Sequence, residues 1–317
     1  MDIQILLFLQ NLREALGSTL NTFFAFITTI AVDHYVIVPA LILFWAVDKK
    51  KGAFVLTTCG SGFLCNAFLK STFCTYRPWI RDPAVKPLQE VMSGATGYSF
   101  PSGHASSVGS FYSSLIAMYR KYRGFCVFCV VMVLLTMFSR IYVGVHTPQD
   151  VLAGAATGVV VTLLLCGISK LLEKKPNADI FVLLAATVVC AVVLVYVRYK
   201  PYPMDYVNGE LLVDPKKMTV NGFKDPGVFF GVLLGWFLER RFVKFEVNGT
   251  AAQKVLRCTV GGLLYIFFST AIADPIGKAA DQSLVYFVTK AAPPLLFMTV
   301  YPLIFTKLEH RRKEVRT

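Results

Sequence analysis

Apolar runs long enough to cross a bilayer recur along this chain, and short bursts of basic residues separate them. That alternation limits the fold more than any other feature. A segment in hydrocarbon must satisfy its own backbone N–H and C=O groups, so helices are the expected spanning elements. About 20 apolar residues suffice for one crossing. The runs lie at 35–47, 54–69, 105–119, 125–138, 151–172, 180–197, 228–238, 256–273 and 284–304. Residues 3–29 are apolar as well, but Arg13 and Glu14 interrupt them. That fits an interfacial amphipathic helix, a first span, or one leading into the other. The expected fold class is all-α, a polytopic membrane helical bundle.

Composition supports this. Of 317 residues, 55% are hydrophobic and 16% charged, where an average soluble domain has ~45–50% and ~25%. The net charge of +13 would suit a nucleic-acid binder if it formed one patch. Instead it is parcelled into bursts such as Asp48-Lys49-Lys50-Lys51, Arg120-Lys121-Tyr122-Arg123 and His310-Arg311-Arg312-Lys313. Cytoplasmic loops of membrane proteins are charged in this way, so the expected partners are membrane lipids and not nucleic acid. Cys59, Cys65, Cys166 and Cys190 lie inside apolar runs and read as small buried hydrophobes. Cys126 and Cys129 form a CxxC without a second pair at zinc spacing, so no metal centre is expected there.

Counting sides sorts the polar segments. With basic loops inside, the bursts at 49–51, 120–123, 170–175, 240–244 and 307–316 share one face. Residues 70–98, 101–104 and 140–150 then share the opposite, extracytoplasmic face. The run at 228–238 is short enough to be re-entrant, yet it must cross if the basic tail is to join the other basic loops. Gly227, Gly231 and Gly235 recur every four residues there, which permits close helix packing.

The extracytoplasmic segments carry the reactive side chains. Pro101-Ser102-Gly103-His104 precedes an apolar helix, with Ser102 suited to the N-cap and Gly103 open to close approach of a ligand. Helix N-termini bind anions through their unpaired N–H groups. Thr147-Pro148-Gln149-Asp150 has the spacing of a capping box, with Asp in place of Glu. Asp150 also follows His146 by four residues, so it could hold one imidazole nitrogen and leave the other free to attack. The two roles are compatible. Arg140 could merely complement a helix dipole, and Lys70 and Arg77 could be interfacial anchors. Their convergence with two histidines at one face instead fits phosphate, whose oxygens match Lys and Arg donors. His34 reads as an interfacial residue.

Lys70-x6-Arg77-Pro78, Pro101-Ser102-Gly103-His104 and Ser139-Arg140-x5-His146-x3-Asp150 together resemble the three-part signature of the type 2 phosphatidic acid phosphatase (PAP2) superfamily. Every signature position is filled. The resemblance implies a PAP2-type six-helix catalytic core over residues 1–175, with accessory C-terminal transmembrane helices over 176–317. It also implies a nucleophilic His146 that forms a phosphohistidine, Asp150 to orient it, and His104 as the acid for the leaving oxygen. Lys70, Arg77, Ser102, Gly103 and Arg140 would bind the phosphate, with no metal and no cofactor. The expected function is hydrolysis of lipid phosphates or lipid pyrophosphates at the extracytoplasmic face of the cell membrane. The alternative is a lipid phosphotransferase that passes the same phosphoryl group to a hydroxyl. The C-terminal helices are open to packing, to homo-oligomer formation, or to forming one wall of a groove for lipid.

Overall fold

The computed structural model describes residues 2–29, 33–92 and 94–314. The side chains at 16, 18, 33–35 and 310–314 fall outside that description, so the expectations for His34 and for the basic residues 310–313 do too. The first helices are α1 (Asp2–Leu16), α2 (Ser18–Thr29) and α3 (Asp33–Ile42), the last continued by a π turn over Leu43–Val47. Asp48 then breaks the chain in extended conformation, and its side chain accepts from Lys51 N at 3.1 Å to start α4 (Lys49–Phe73). The α4 helix carries Lys70 in its last turn and stops at Cys74, whose φ of +46° no helix continues.

The polar segment that follows holds two short helices, α5 (Pro78–Arg81) and α6 (Gln89–Met92). Next come α7 (Gly103–Tyr119), α8 (Arg123–Tyr142), α9 (Pro148–Lys174) and α10 (Asp179–Tyr199). A two-residue hairpin pairs Tyr206–Val207 with Glu210–Leu211. Beyond it lie α11 (Pro215–Asn221), α12 (Lys224–Leu238), α13 (Ala251–Phe267), α14 (Asp274–Ala280), α15 (Ser283–Met298) and α16 (Val300–Glu314). Among the described residues, six helical stretches are long and apolar enough to cross a membrane. The protein is an all-α integral membrane protein.

Two helices needed no long apolar surface because they lie inside the bundle. The α7 helix buries Ser106, Ser107, Ser110 and Ser114 against α4 and α9. Close approach is possible because glycines face it: a Cβ at Gly158 would fall 2.3 Å from Ser110 N, and one at Gly154 would fall 2.5 Å from Ser102 O. The α12 helix is wedged between α4 and α15. A Cβ at Gly227 would meet Phe287 O, and one at Gly231 would meet Ala291 O. The four-residue glycine spacing therefore marks the α12–α15 contact. By contrast α8, α9 and α10 point Val130, Leu134, Leu163, Val188 and Val192 outward, as helices that face lipid do.

Side-chain contacts define the two ends of the bundle. At one end Lys49 meets Glu239 at 2.8 Å, Lys51 lies over the Tyr119 ring, and Arg240 reaches Asp179 at 3.0 Å. Arg257 and Glu309 pair there as well, beside Trp45. These contacts gather the basic bursts at 49–51, 120–123, 170–175 and 240–244. At the other end lie Lys70, Arg77, Ser102 and His146, which line or adjoin one pocket. The α12 helix starts beside that pocket with Lys224, and Glu239, which directly follows its last residue, meets Lys49. It therefore traverses the bundle instead of turning back, as the charge count required.

Contacts also place α1, the first helix of the ambiguous N-terminal segment. Asp2 pairs with Arg81 at 2.9 Å, while Arg13 donates to Tyr142 O at 3.2 Å and to Lys86 O at 2.5 Å. Both ends of α1 are thus held at the pocket end. The helix lies along that end, and Arg13 anchors a loop where it had looked like an interruption.

Candidate active site

Each reactive side chain sits at the end of a helix, where the local sequence dictates the turn. Ser102 caps α7, accepting from Ala105 N at 3.5 Å. Thr147 caps α9 in a full capping box: its hydroxyl accepts from Asp150 N, and Asp150 Oδ2 accepts from Thr147 N at 2.8 Å. The two capped starts are tied directly, because Ser102 N donates to Asp150 O at 2.9 Å. Arg140 comes from the last turn of α8, and Lys70 from the last turn of α4.

The structure brings all eight expected site residues to one locality. Lys70, Arg77, Gly103, His104, Arg140 and His146 line a pocket of about 370 Å³, and Ser102 and Asp150 are buried directly behind it. Asp150 Oδ2 lies 3.3 Å from His146 Nδ1. Arg77 Nη1 lies 3.0 Å from His146 Nε2. A guanidinium can only donate, so Nε2 carries the lone pair and Nδ1 carries the proton. Burial, and then the charges of Arg77, Arg140 and Lys70, hold this imidazole well below its usual pKa. His146 is therefore neutral at pH 7, with a lone pair turned toward the cations.

Those cations are fixed to different degrees. Arg77 donates to three carbonyls, at Gly97 (3.2 Å), Val145 (3.0 Å) and Thr96 (3.0 Å). Lys70 Nζ donates to Tyr98 O at 3.1 Å. Arg140 bonds Thr28 Oγ1 at 2.6 Å, but its Nε is buried with no partner among the described residues. A buried guanidinium N–H left open is costly, and it fits a site built to receive an anion. At Gly103 an added Cβ would come no closer than 3.6 Å to Asn66 Oδ1. Packing thus does not demand glycine there, and the space belongs to the pocket. Among the described residues, no three His, Cys, Asp or Glu side chains come together as metal ligands would.

Sequence reasoning missed several supporting residues. Ser99 is fully buried, donates to Asp150 Oδ2 at 2.6 Å, and lies 3.3 Å from His146 Nδ1. Thr28 orients Arg140 from a helix 112 positions away. Asn66 is buried one turn before Lys70 and reaches toward Pro101 O at 3.5 Å. Only Ser99 had a local signal, a hydroxyl three residues before the N-cap serine.

A helical membrane bundle that gathers three cations around a neutral, carboxylate-held histidine is built for phosphoryl transfer. Comparison with known proteins agrees. Residues 51–173 match the PAP2 superfamily model, and residues 223–313 match the transmembrane extension of PAP2 superfamily phosphatases. The chain belongs to the PAP2 superfamily and is a phosphoric-ester hydrolase. It is 28% identical to undecaprenyl-diphosphatase BcrC of Bacillus subtilis, over 52% of this chain and 82% of that one. It is 28% identical to an undecaprenyl-diphosphatase of Sulfolobus acidocaldarius, over 46% of this chain and 69% of that one. A lipid A 4'-phosphatase of Bacteroides thetaiotaomicron is 32% identical over 33% of this chain and 48% of its own length. No solved structure matches the chain.

Proposed function

We propose that the protein hydrolyses lipid phosphates or lipid diphosphates at the extracytoplasmic face of the cell membrane, through a phosphohistidine on His146. The observation that carries this reading is the polarity of the His146 ring, with Nδ1–H on Asp150 and the Nε2 lone pair among Arg77, Arg140 and Lys70. In the first step Nε2 bonds to phosphorus while the phosphorus–oxygen bond to the lipid breaks. His104 protonates the departing oxygen, so the lipid leaves as a neutral alcohol or, from a diphosphate, as the lipid monophosphate. The N–H that Arg77 holds on Nε2 is released as that nitrogen bonds to phosphorus, and it turns to a phosphoryl oxygen. Asp150 stabilises the charge that develops on the ring. In the second step His104 takes a proton from water, water attacks phosphorus, and the bond to His146 breaks to release inorganic phosphate.

Three fixed cations neutralise the transferred group, so the reading requires no metal. The position of the pocket at the end of the bundle also supports it, because a headgroup can react there while its tail stays in lipid. Rapid acid or base quench of protein mixed with a ³²P-labelled lipid phosphate tests the mechanism. Base-stable, acid-labile label is expected on wild type, none on His146→Ala, and turnover of that variant should fall at least about 10³-fold. Near-normal hydrolysis by His146→Ala would refute it. Transfer to added glycerol that outpaces phosphate release would make the protein a phosphotransferase.

A further inference from the structure

The α11 helix and its elbow into α12 stand between two cavities. Met218 and Asn221 of α11 line the active-site pocket. Lys216, Thr219 and Val220, on the opposite face of the same helix, line a second cavity of about 760 Å³. That volume lies in the range of ~300–1,000 Å³ common for ligand sites, and none of the expected site residues borders it. The end of α10 and the start of α15 form its other walls. Phe223, which lines it as well, is buried in the apolar cluster that joins Val197 of α10 to Phe287 of α15.

The second cavity is basic at its walls and apolar at its rim. Of the charged residues that line it, Lys216 and Asp281 pair with each other and cancel. Lys200 Nζ donates to Ser71 O and lies 3.1 Å from Cys74 Sγ, and no carboxylate answers its charge among the described residues. Arg198 has no hydrogen-bond or ion-pair partner among the described residues. The charges of Arg198 and Lys200 are therefore left for a ligand. Both walls belong to helices long and apolar enough to cross a membrane. On α10, the exposed Val188, Val192, Val195 and Tyr199 recur at helical spacing and form one stripe that runs up to Arg198 and Lys200. On α15, the exposed Leu284 and Val288 begin a second stripe, and Leu284 lines the cavity itself. Faces of this kind meet lipid tails.

We propose that this cavity binds the headgroup of an anionic phospholipid, with Arg198 and Lys200 on its phosphate and its acyl chains along the stripes of α10 and α15. A soluble anion would use the two cations and leave the apolar stripes unused. A zwitterionic phospholipid would bring a cation of its own against Arg198 and Lys200. The bound lipid is a ligand and not a substrate, because α11 separates it from His146. The site goes beyond the hydrolytic reading above and does not depend on it. Any basic residue at a membrane surface attracts anionic lipid; a cavity makes the binding saturable and sensitive to filling.

The test titrates the purified full-length protein, in neutral detergent, with dioleoyl phosphatidylglycerol or dioleoyl phosphatidylcholine and counts bound lipid by native mass spectrometry. Phosphatidylglycerol is expected to bind saturably and more tightly than phosphatidylcholine, and inorganic phosphate at equal concentration should not displace it. Arg198→Gln should weaken phosphatidylglycerol about fivefold, the effect of one interfacial cation, while Arg198→Lys retains it. Val220→Trp, which fills the cavity and keeps both cations, should weaken it as well. Lys121→Gln, at the opposite end of the bundle, should leave it unchanged. Unchanged phosphatidylglycerol binding in Arg198→Gln or Val220→Trp, each melting like wild type, overturns the inference. So does an equal loss in Lys121→Gln, which would mean charge-driven lipid contact only. Equal affinity for phosphatidylcholine, or displacement by inorganic phosphate, overturns it too.

Discussion

At the scale of single residues, one carboxylate oxygen organises the site. Asp150 Oδ2 receives Ser99 Oγ, Thr147 N and the proton on His146 Nδ1. The same atom therefore caps α9 and orients the imidazole. Asp150→Asn keeps an oxygen for Thr147 N but loses the charge that supports the ring. We expect the variant to fold and its turnover to fall about 10²–10⁴-fold. Ser99→Ala removes one donor from that oxygen and should cost about tenfold in kcat. Parallel melting curves in detergent check both: lost activity only in proportion to lost folded protein would reduce Asp150 to a cap. The pH profile belongs here too. The buried ring near three cations titrates below the ordinary histidine value of about 6.5, so its neutral form persists as pH falls past that point. Arg140→Gln removes one of those cations, raises the His146 pKa, and should move the acid limb of kcat/KM upward on the same substrate. An unmoved or downward limb would disprove the coupling.

At the scale of elements, the spacing between the Ser102–His104 turn and the Asp150 that holds His146 depends on how α7 seats on α9. Gly154 is the tight contact next to Ser102, since a Cβ there would fall 2.5 Å from Ser102 O and 3.1 Å from Ser106 N. Gly154→Val should therefore push the start of α7 away from α9 and strain the Ser102–Asp150 link. Overpacking of this kind costs about 1–3 kcal/mol. We expect a lower melting temperature together with a kcat loss larger than the lost folded fraction explains. Gly124, which nothing approaches within 4 Å, is the control: Gly124→Ala should leave both quantities near wild type. A Gly154→Val variant with full activity would show that the spacing is not critical. The outward faces of α8 and α9, rich in Val and Leu, have no such constraint.

At the scale of the whole molecule, the C-terminal helices and the core share one interior. Trp45 Nε1 donates to Phe297 O at 3.0 Å, and Cys59 and Phe63 of α4 share a buried cluster with Val228 and Val232 of α12. The molecule has one end bearing the pocket and one bearing the basic contacts, which makes its orientation testable. Ala84→Cys, exposed near the pocket end, should react with an impermeant maleimide on intact cells. Lys121→Cys, exposed at the basic end, should react only after permeabilisation. The reverse pattern would invert the topology.

Much of this architecture is legible in the chain itself. Hydropathy locates the helices, because apolar runs are what a bilayer requires of them. Charge bursts sort their ends, because basic loops collect on one side. Ser102 and Thr147 announce their caps, because capping chemistry is local and lies within four residues. The eight expected site residues are readable since they cluster in three short segments. What sequence alone leaves open is every relation across distance. Whether α1 crosses the membrane depends on Arg13 meeting carbonyls at Lys86 and Tyr142, and no periodicity encodes that pairing. Ser99 on Asp150, Thr28 on Arg140 and the α11–α12 elbow over the pocket arise the same way, from side chains that become neighbours only when helices pack. The tertiary structure thus decides which residues shape the site around the signature, because packing joins groups that the chain keeps 50 to more than 100 positions apart.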